Sequence, residues 1–321
     1  MVRIAEVDKP TPGDGEVLVQ VHATTVNRTD CGFRAAKPWI VRFFSGLLRP
    51  KATILGTEFA GEVEAVGDGV SSFEVGDSVF GFSEDRFGAH AEYLAFPEDG
   101  AIATIPDGMS FVEAAASTEG SHYALSGIRK SKIGSGQRVL INGATGAIGS
   151  AAVQLLKDLG ATVTAVCDRE HVELVRGLGA DRVIDRAAED FTKDAQTYDV
   201  VLDAVGKSSF GRCRRLLERR GIYLSSDLGP YNLNPILALV TPLFGRRRVM
   251  FPIPPKHDRD EMIHLKGLIE SGAFRPVVDR RYPLDDIVEA YRYVETGQKI
   301  GNVVIDVVGD RPRSDLSSSQ P

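Results

Sequence analysis

The chain has 321 residues, a length that suggests about two domains, with 43% hydrophobic residues and a net charge of −6. That balance lacks the basic footprint of a nucleic-acid binder, and no apolar run reaches the length of a membrane span, so no integral membrane protein is expected. Three scattered cysteines, Cys31, Cys167 and Cys213, imply no disulfide framework and, with no basic-then-apolar leader, point to a reducing, cytoplasmic setting.

The first hundred residues read as β-rich. Residues 16–23 alternate strongly, 59–66 form a second strand candidate ahead of a Gly-Asp-Gly turn, 75–82 put a turn before a short strand, and a further strand is expected at 89–96. From Ser110 the rhythm changes to helices at 111–116 and 122–129. Repeating βα units follow, with strands at 138–142, 162–166, 182–184, 199–202 and 221–224. Strands alternating with helices at this spacing mean a parallel sheet covered on both faces. Arg212, Arg214, Arg215, Arg219 and Arg220 read as a solvated helix face. The C-terminal third has an apolar segment at 231–244 interrupted by prolines, an amphipathic helix at 256–271, a strand at 277–282, a helix at 284–295 and a last strand at 302–307. The Ser-, Arg- and Pro-rich residues 310–321 are expected to be a disordered tail.

The most informative run is Val139-Leu140-Ile141-Asn142-Gly143-Ala144-Thr145-Gly146-Ala147-Ile148-Gly149. Three β-formers enter a small-residue turn that opens directly into a helix. Gly146 lets backbone approach a pyrophosphate, Gly149 lets helix and strand pack closely, and the helix N-terminus offers its N–H groups. Asp168 lies near the position of the ribose-binding acid, about 20 residues beyond such a turn. The alternative is a βα turn that holds no phosphate.

With Val26-Asn27-Arg28-Thr29-Asp30, Leu55-Gly56-Thr57-Glu58-Phe59-Ala60-Gly61, Val75-Gly76-Asp77-Ser78-Val79, Ala290-Tyr291-Arg292 and Gly301-Asn302-Val303-Val304, this run resembles the medium-chain dehydrogenase/reductase superfamily. The likeness spans nearly the whole chain and is strongest to the zinc-independent quinone oxidoreductase and enone/enoyl reductase branch. It implies an α/β fold, a Rossmann doubly wound parallel sheet plus a β-rich GroES-like catalytic domain. The expected division is a catalytic domain over 1–112, completed by 275–309, and a dinucleotide-binding domain over 113–274. Family members usually begin with another strand and turn, so either the start is truncated or the first sheet has lost an edge.

The zinc-dependent relatives hold their metal with Cys and His. The corresponding places here carry Asn27, Thr57 and, near the third, Thr118, none of which supplies a thiolate or imidazole. No zinc is therefore expected, and Glu58 reads as a buried, paired structural carboxylate. Without a Lewis acid, the chemistry left is direct hydride transfer to a quinone or an α,β-unsaturated carbonyl.

The resemblance places Asn27 near the nicotinamide, orienting the cofactor or the substrate carbonyl; an Asn closing a turn is the alternative. Many relatives carry a Tyr in the next loop. Arg34 and Trp39 are the catalytic candidates here, with aromatic neighbours lining an apolar slot for a hydrophobic substrate.

Cofactor contacts are expected from Asn27, Thr118, Gly143, Ala144, Thr145, Gly146, Ala147, Ile148, Gly149, Asp168, Arg169, Ala204, Val205, Ser225 and Asn302. Asp168 favours NAD and Arg169 favours NADP; the resemblance leans to NADP(H), with NAD(H) as the alternative. The apolar 235–244 stretch and Arg246-Arg247-Arg248 read as a subunit-interface segment of a homodimer with a solvated charged turn. A membrane-surface contact is the less favoured reading, because prolines break the apolar part. Two other functions compete: a zinc alcohol dehydrogenase, disfavoured by the missing ligands, and a cofactor-binding scaffold with little turnover.

Overall fold

The computed structural model describes residues 2–36, 52–252 and 257–308. In chain order the elements begin with β1 (Glu16–Val26), α1 (Arg28–Ala35), β2 (Glu58–Val66), β3 (Ser78–Phe82), β4 (Tyr93–Pro97), β5 (Ile102–Thr104), α2 (Phe111–Ala116) and α3 (Thr118–Ser131). Then come β6 (Arg138–Asn142), α4 (Ala147–Asp158), β7 (Thr162–Cys167), α5 (Val172–Gly177), β8 (Arg182–Asp185), β9 (Tyr198–Asp203), α6 (Phe210–Cys213) and β10 (Leu217–Ser225). The last are α7 (Asn234–Phe244), β11 (Arg248–Met250), α8 (Arg259–Glu270), β12 (Val278–Pro283), α9 (Ile287–Glu295) and β13 (Asn302–Asp306).

Two compact units form. The first comprises residues 1–118, 257–266 and 278–321; the second comprises 119–256 and 267–277. In the first unit the strands pair in the order β12-β13-β1-β2-β3-β5, and β4 also pairs with β1. β1 is the hub because it is long and apolar on alternate residues: Val17, Val19 and Val21 point into a core with Phe59, Val63, Val79, Phe96 and Ile102. A second cluster joins Val26 to Ile287, Tyr291, Val303 and Ile305. This is the β-rich GroES-like half.

In the second unit six parallel strands run in the order β11-β10-β9-β6-β7-β8. Strand order reverses between β6 and β9. That makes a topological switch point, where the loops leaving the carboxyl ends diverge and open a crevice. The core strands are near-continuous apolar runs, as burial on both faces demands: Leu140, Val166, Ile184, Val201 and Tyr223 are all within one cluster.

Two sequence expectations need correction. Arg219 and Arg220 lie in β10, not on a helix face, because the helical stretch ends at Cys213 and gives way to a single 3-10 turn before the strand begins. The prolines at 235 and 242 do not break the apolar segment. Pro235 sits in the first turn of α7, where its missing N–H needs no partner, and the helix runs on through Pro242.

Candidate functional site

The second unit carries the turn expected to cradle a dinucleotide. Asn142 ends β6 at the switch point, and its Nδ2 donates to Asp203 Oδ1 (3.0 Å) at the end of β9. Asp203 is fully buried. It also accepts from Tyr223 Oη (2.9 Å) and Ser208 N (2.8 Å), and so fixes the loop that holds Ala204 and Val205. Ala204 N in turn donates to Asn142 O (3.0 Å).

Gly149 is required by packing: a Cβ there would lie 2.1 Å from Gly143 O. Gly146 differs, since a Cβ would meet nothing nearer than Gly143 O at 3.7 Å. No neighbouring side chain or backbone demands a glycine at 146, so the space above it is open to a ligand. Gly146 is also the N-cap of α4, which has no side-chain cap and no acidic residue in its first turn. The amide donors of that turn, and the positive end of the helix dipole, are available to an anion.

At the end of β7, Asp168 is gripped by Arg186: Nε reaches Oδ1 at 2.5 Å and Nη2 reaches Oδ2 at 2.7 Å. Arg169 instead donates to Asp185 Oδ2 (2.9 Å). A cavity of about 340 Å³ opens beside them, lined by Asn142, Arg186, Phe191, Lys207 and Arg212 among others. Ser225 ends β10 fully buried, and its Oγ accepts from Asp227 N (3.3 Å). Of the expected cofactor contacts, those in this unit (Gly143 to Gly149, Asp168, Arg169, Ala204, Val205 and Ser225) therefore gather at the carboxyl edge of one sheet. Arg186 and Asn142 were not among the sequence candidates. The signal for Arg186 was its place one residue past the third strand, whose Asp185 pairs with Cys167 in parallel register.

The first unit holds a buried polar cluster around Glu58, which is fully buried at the start of β2. Its Oε2 accepts from the Thr25 hydroxyl and from Asn27 Nδ2 (3.3 Å), and its Oε1 accepts from Thr118 Oγ1 (2.7 Å). Asn27 Nδ2 also donates to Thr57 Oγ1 (2.8 Å). Asn27 Oδ1 accepts from Asp30 N (2.9 Å), and Asp30 Oδ2 accepts from Asn27 N (3.1 Å), a reciprocal capping box that starts α1. An amide has two donor hydrogens and one acceptor oxygen. All of these are engaged, and Asn27 is only 2% exposed. The structure places Asn27 as the cap of α1, and the same amide braces the cluster. Asn302, buried at the start of β13, donates from Nδ2 to Ala116 O (2.9 Å). It holds the segment that leads into Thr118.

Beneath the cluster, His90 Nε2 lies 2.7 Å from Thr25 O, so Nε2 carries the proton, and Nδ1 faces Tyr291 Oη at 3.4 Å. Burial pulls the His90 ring down to about 4, so the imidazole is neutral and makes no ion pair with Asp30, 3.9 Å away. Burial pushes the Asp30 carboxyl up to about 8, against the pull of the Asn27 and Gly56 N–H groups.

Arg34 stands apart from this cluster. Its Nη2 pairs with Glu295, and its guanidinium sits 5.2 Å over the Tyr291 ring, tying α1 to α9. Trp39 lies outside the described residues. The three places where zinc-dependent relatives carry ligands are an amide and two hydroxyls, two of them hydrogen-bonded to each other and two to Glu58. This donor set does not suit zinc. Among the described residues no group of three or more His, Cys, Asp or Glu could hold a metal ion.

Residues 13–107 match the model of the alcohol dehydrogenase GroES-like domain, and residues 178–305 match that of the zinc-binding dehydrogenases. The chain is 32% identical to a 2-methylene-furan-3-one reductase of Solanum lycopersicum, over 94% of this chain and 74% of that protein. It is 30% identical to a chloroplastic NADPH-dependent alkenal/one oxidoreductase of Arabidopsis thaliana, over 92% of this chain and 73% of that one. Among solved structures, the quinone oxidoreductase from Coxiella burnetii superposes with a TM-score of 0.81 at 25% identity, covering 94% of this chain and 93% of the other.

Proposed function

This chain belongs to the medium-chain dehydrogenase/reductase superfamily, in its quinone- and enone-reducing branch, and from that premise we propose that it reduces a quinone or an α,β-unsaturated carbonyl with a nicotinamide cofactor. The observation that carries the reading is the open glycine cradle at Gly146, set on an uncapped helix N-terminus at a switch point. The names of its relatives, an alkenal/one oxidoreductase and a quinone oxidoreductase among them, support the substrate class.

When bound, the nicotinamide supplies a hydride. The chain's part is to hold, orient and exclude. The turn from Gly143 to Gly149 and the amides of α4 would hold the pyrophosphate, and the loop of Ala204 and Val205, braced by Asp203, would border it. Reduction of an enone would require hydrogen-bond donors for the carbonyl oxygen and a proton for the α-carbon from water or an acid. The amide and hydroxyls around Glu58 leave no step to a zinc ion. Asn27 and Thr118 serve as positioning residues: their polar atoms are engaged with Glu58 and its neighbours, so they hold the end of β1 and the start of α1 rigid. Arg34, paired with Glu295, braces α1 against α9.

The cofactor is NADP(H) by preference, with NAD(H) also accepted. Arg186 neutralises Asp168 and can exchange that carboxylate for a 2′-phosphate, while Asp168 can turn to a ribose hydroxyl when no phosphate is present. Among the described residues β11 is the edge of its sheet, and two copies would form a homodimer by pairing along it. Three free thiols suit the cytoplasmic compartment of the same proposal.

The test follows nicotinamide absorbance with NADPH and then NADH, using 1,4-naphthoquinone and a simple enone as acceptors, with and without a chelator. Acceptor-dependent oxidation that survives the chelator is the expected result. Tight cofactor binding with no oxidation of either coenzyme would overturn the proposal in favour of a scaffold.

A further inference from the structure

The inner side of α7 packs Leu237 and Ala238 against the core of the second unit. Its outer side does not share that core. Ile236 is 55% exposed, Leu239 77% and Leu243 76%, with Val240 beside them at 41%. The spacing i, i+3, i+4, i+7 puts all four on one stripe of a continuous helix. The prolines leave this segment one continuous helix, so they do not exclude a membrane contact.

Three further observations say what chemistry the stripe fits. Tyr231, 93% exposed, precedes the helix in a left-handed backbone conformation (φ 57°) that a tyrosine adopts only under constraint. Its ring is presented outward rather than folded away. Just beyond the helix, Arg246 and Arg248 are exposed, while Arg247 donates to Glu218 O (3.2 Å). Thr241 fixes these parts together, accepting from Val249 N (2.8 Å) through its hydroxyl and from Gly245 N (2.9 Å) through its carbonyl. Finally, no acidic residue occurs between Asp227 and Met250. An apolar stripe, an interfacial aromatic and a cationic flank with no internal counter-charge are complementary to an anionic lipid surface.

We propose that the outer face of α7 is a peripheral contact for anionic membranes. Ile236, Leu239 and Leu243 enter the boundary between headgroups and acyl chains, Tyr231 lies at the interface, and Arg246 and Arg248 meet lipid phosphates. The helix has 11 residues, far short of a span, so the contact is superficial. A second copy fits this face less well. The β11 edge is the contact proposed above for a second copy; on the α7 face a second copy of this segment would offer the same arginines and no carboxylate to pair with them. The inference is independent of the hydride-transfer reading.

The test sediments the full chain with phosphatidylcholine vesicles, with and without phosphatidylserine, at low and physiological salt. Binding is expected only with phosphatidylserine, and it should weaken as salt rises. Leu239→Asp and the double variant Arg246→Glu, Arg248→Glu should each lower partitioning by at least about tenfold, while cofactor binding stays intact as a check on folding. No binding to phosphatidylserine vesicles would overturn the proposal, as would binding that neither variant weakens. If Leu239→Asp instead turns a dimer into a monomer while the parent chain ignores vesicles, the face is a subunit contact and the proposal fails.

Discussion

Replacing Arg186 by alanine separates coenzyme choice from folding. The Arg186–Asp168 pair is half-exposed, with side-chain exposures of 53% and 39%. Solvent screens such a pair, so its loss should change stability by less than about 1 kcal/mol. A guanidinium contact to a 2′-phosphate is a charge-assisted hydrogen bond and contributes about 1.5–3 kcal/mol. At about 1.4 kcal/mol per tenfold, NADPH affinity should fall roughly 10- to 150-fold. Asp168 would then stand uncompensated near the same phosphate and add to the loss, yet be freer to accept from the ribose hydroxyls of NADH. NADH affinity should therefore hold steady or improve a few-fold. Calorimetric titration of both coenzymes reads this directly, without turnover, and a thermal melt checks the fold. Equal weakening of NADPH and NADH, or an unchanged NADPH affinity, would refute the assignment of Arg186 to the phosphate.

Other outcomes follow from the same geometry. Gly149→Ala sets a Cβ 2.1 Å from Gly143 O; overpacking there should cost about 1–3 kcal/mol in urea unfolding and abolish tight coenzyme binding. Glu58→Ala leaves the donors of Thr25, Asn27 and Thr118 without their shared acceptor. At about 1–3 kcal/mol for each buried unsatisfied group, the variant should lose several kcal/mol, and Glu58→Gln, which keeps one acceptor oxygen, should lose less. Stability should also depend on pH in a particular window. Asp30 is raised from 3.8 to about 8, so its contribution is present below pH 3.8 and lost as pH rises through 8. His90 is lowered from 6.5 to about 4, so its contribution is present above pH 6.5 and lost as pH falls through 4. The two slopes oppose each other below pH 6.5. Above it Asp30 acts alone, and one proton over that interval corresponds to a fall of about 2 kcal/mol by pH 8. Asp30→Asn should flatten the profile; a parent chain equally stable at pH 6.5 and 8 would contradict it.

Much of this protein was legible from residue order because the signals are local. The step from Val139-Leu140-Ile141 through Gly143 to Gly149 is a strand, a turn and a helix formed by neighbours in the chain, and small residues there are demanded by close backbone approach. The mismatch with zinc is likewise a matter of residue type, since Asn27, Thr57 and Thr118 cannot become thiolates in any fold. The alternation in β1 and the change of rhythm after Ser110 identify two kinds of sheet for the same reason: side-chain period follows backbone geometry.

Other features needed the tertiary structure, because they join residues distant in sequence. Asp168 and Arg186 meet only because β7 and β8 lie side by side in parallel register, which brings their carboxyl ends together. Glu58 collects donors from β1, from the cap of α1 and from the start of α3, and no spacing rule links those positions. Arg34 is drawn to Glu295, more than 200 residues away, by the packing of α1 on α9. The apolar segment before Arg246 shows the limit of local rules: two prolines marked it as broken, yet the first sits where a helix needs no N–H, and packing of Leu237 and Ala238 on the core holds the rest in one helix.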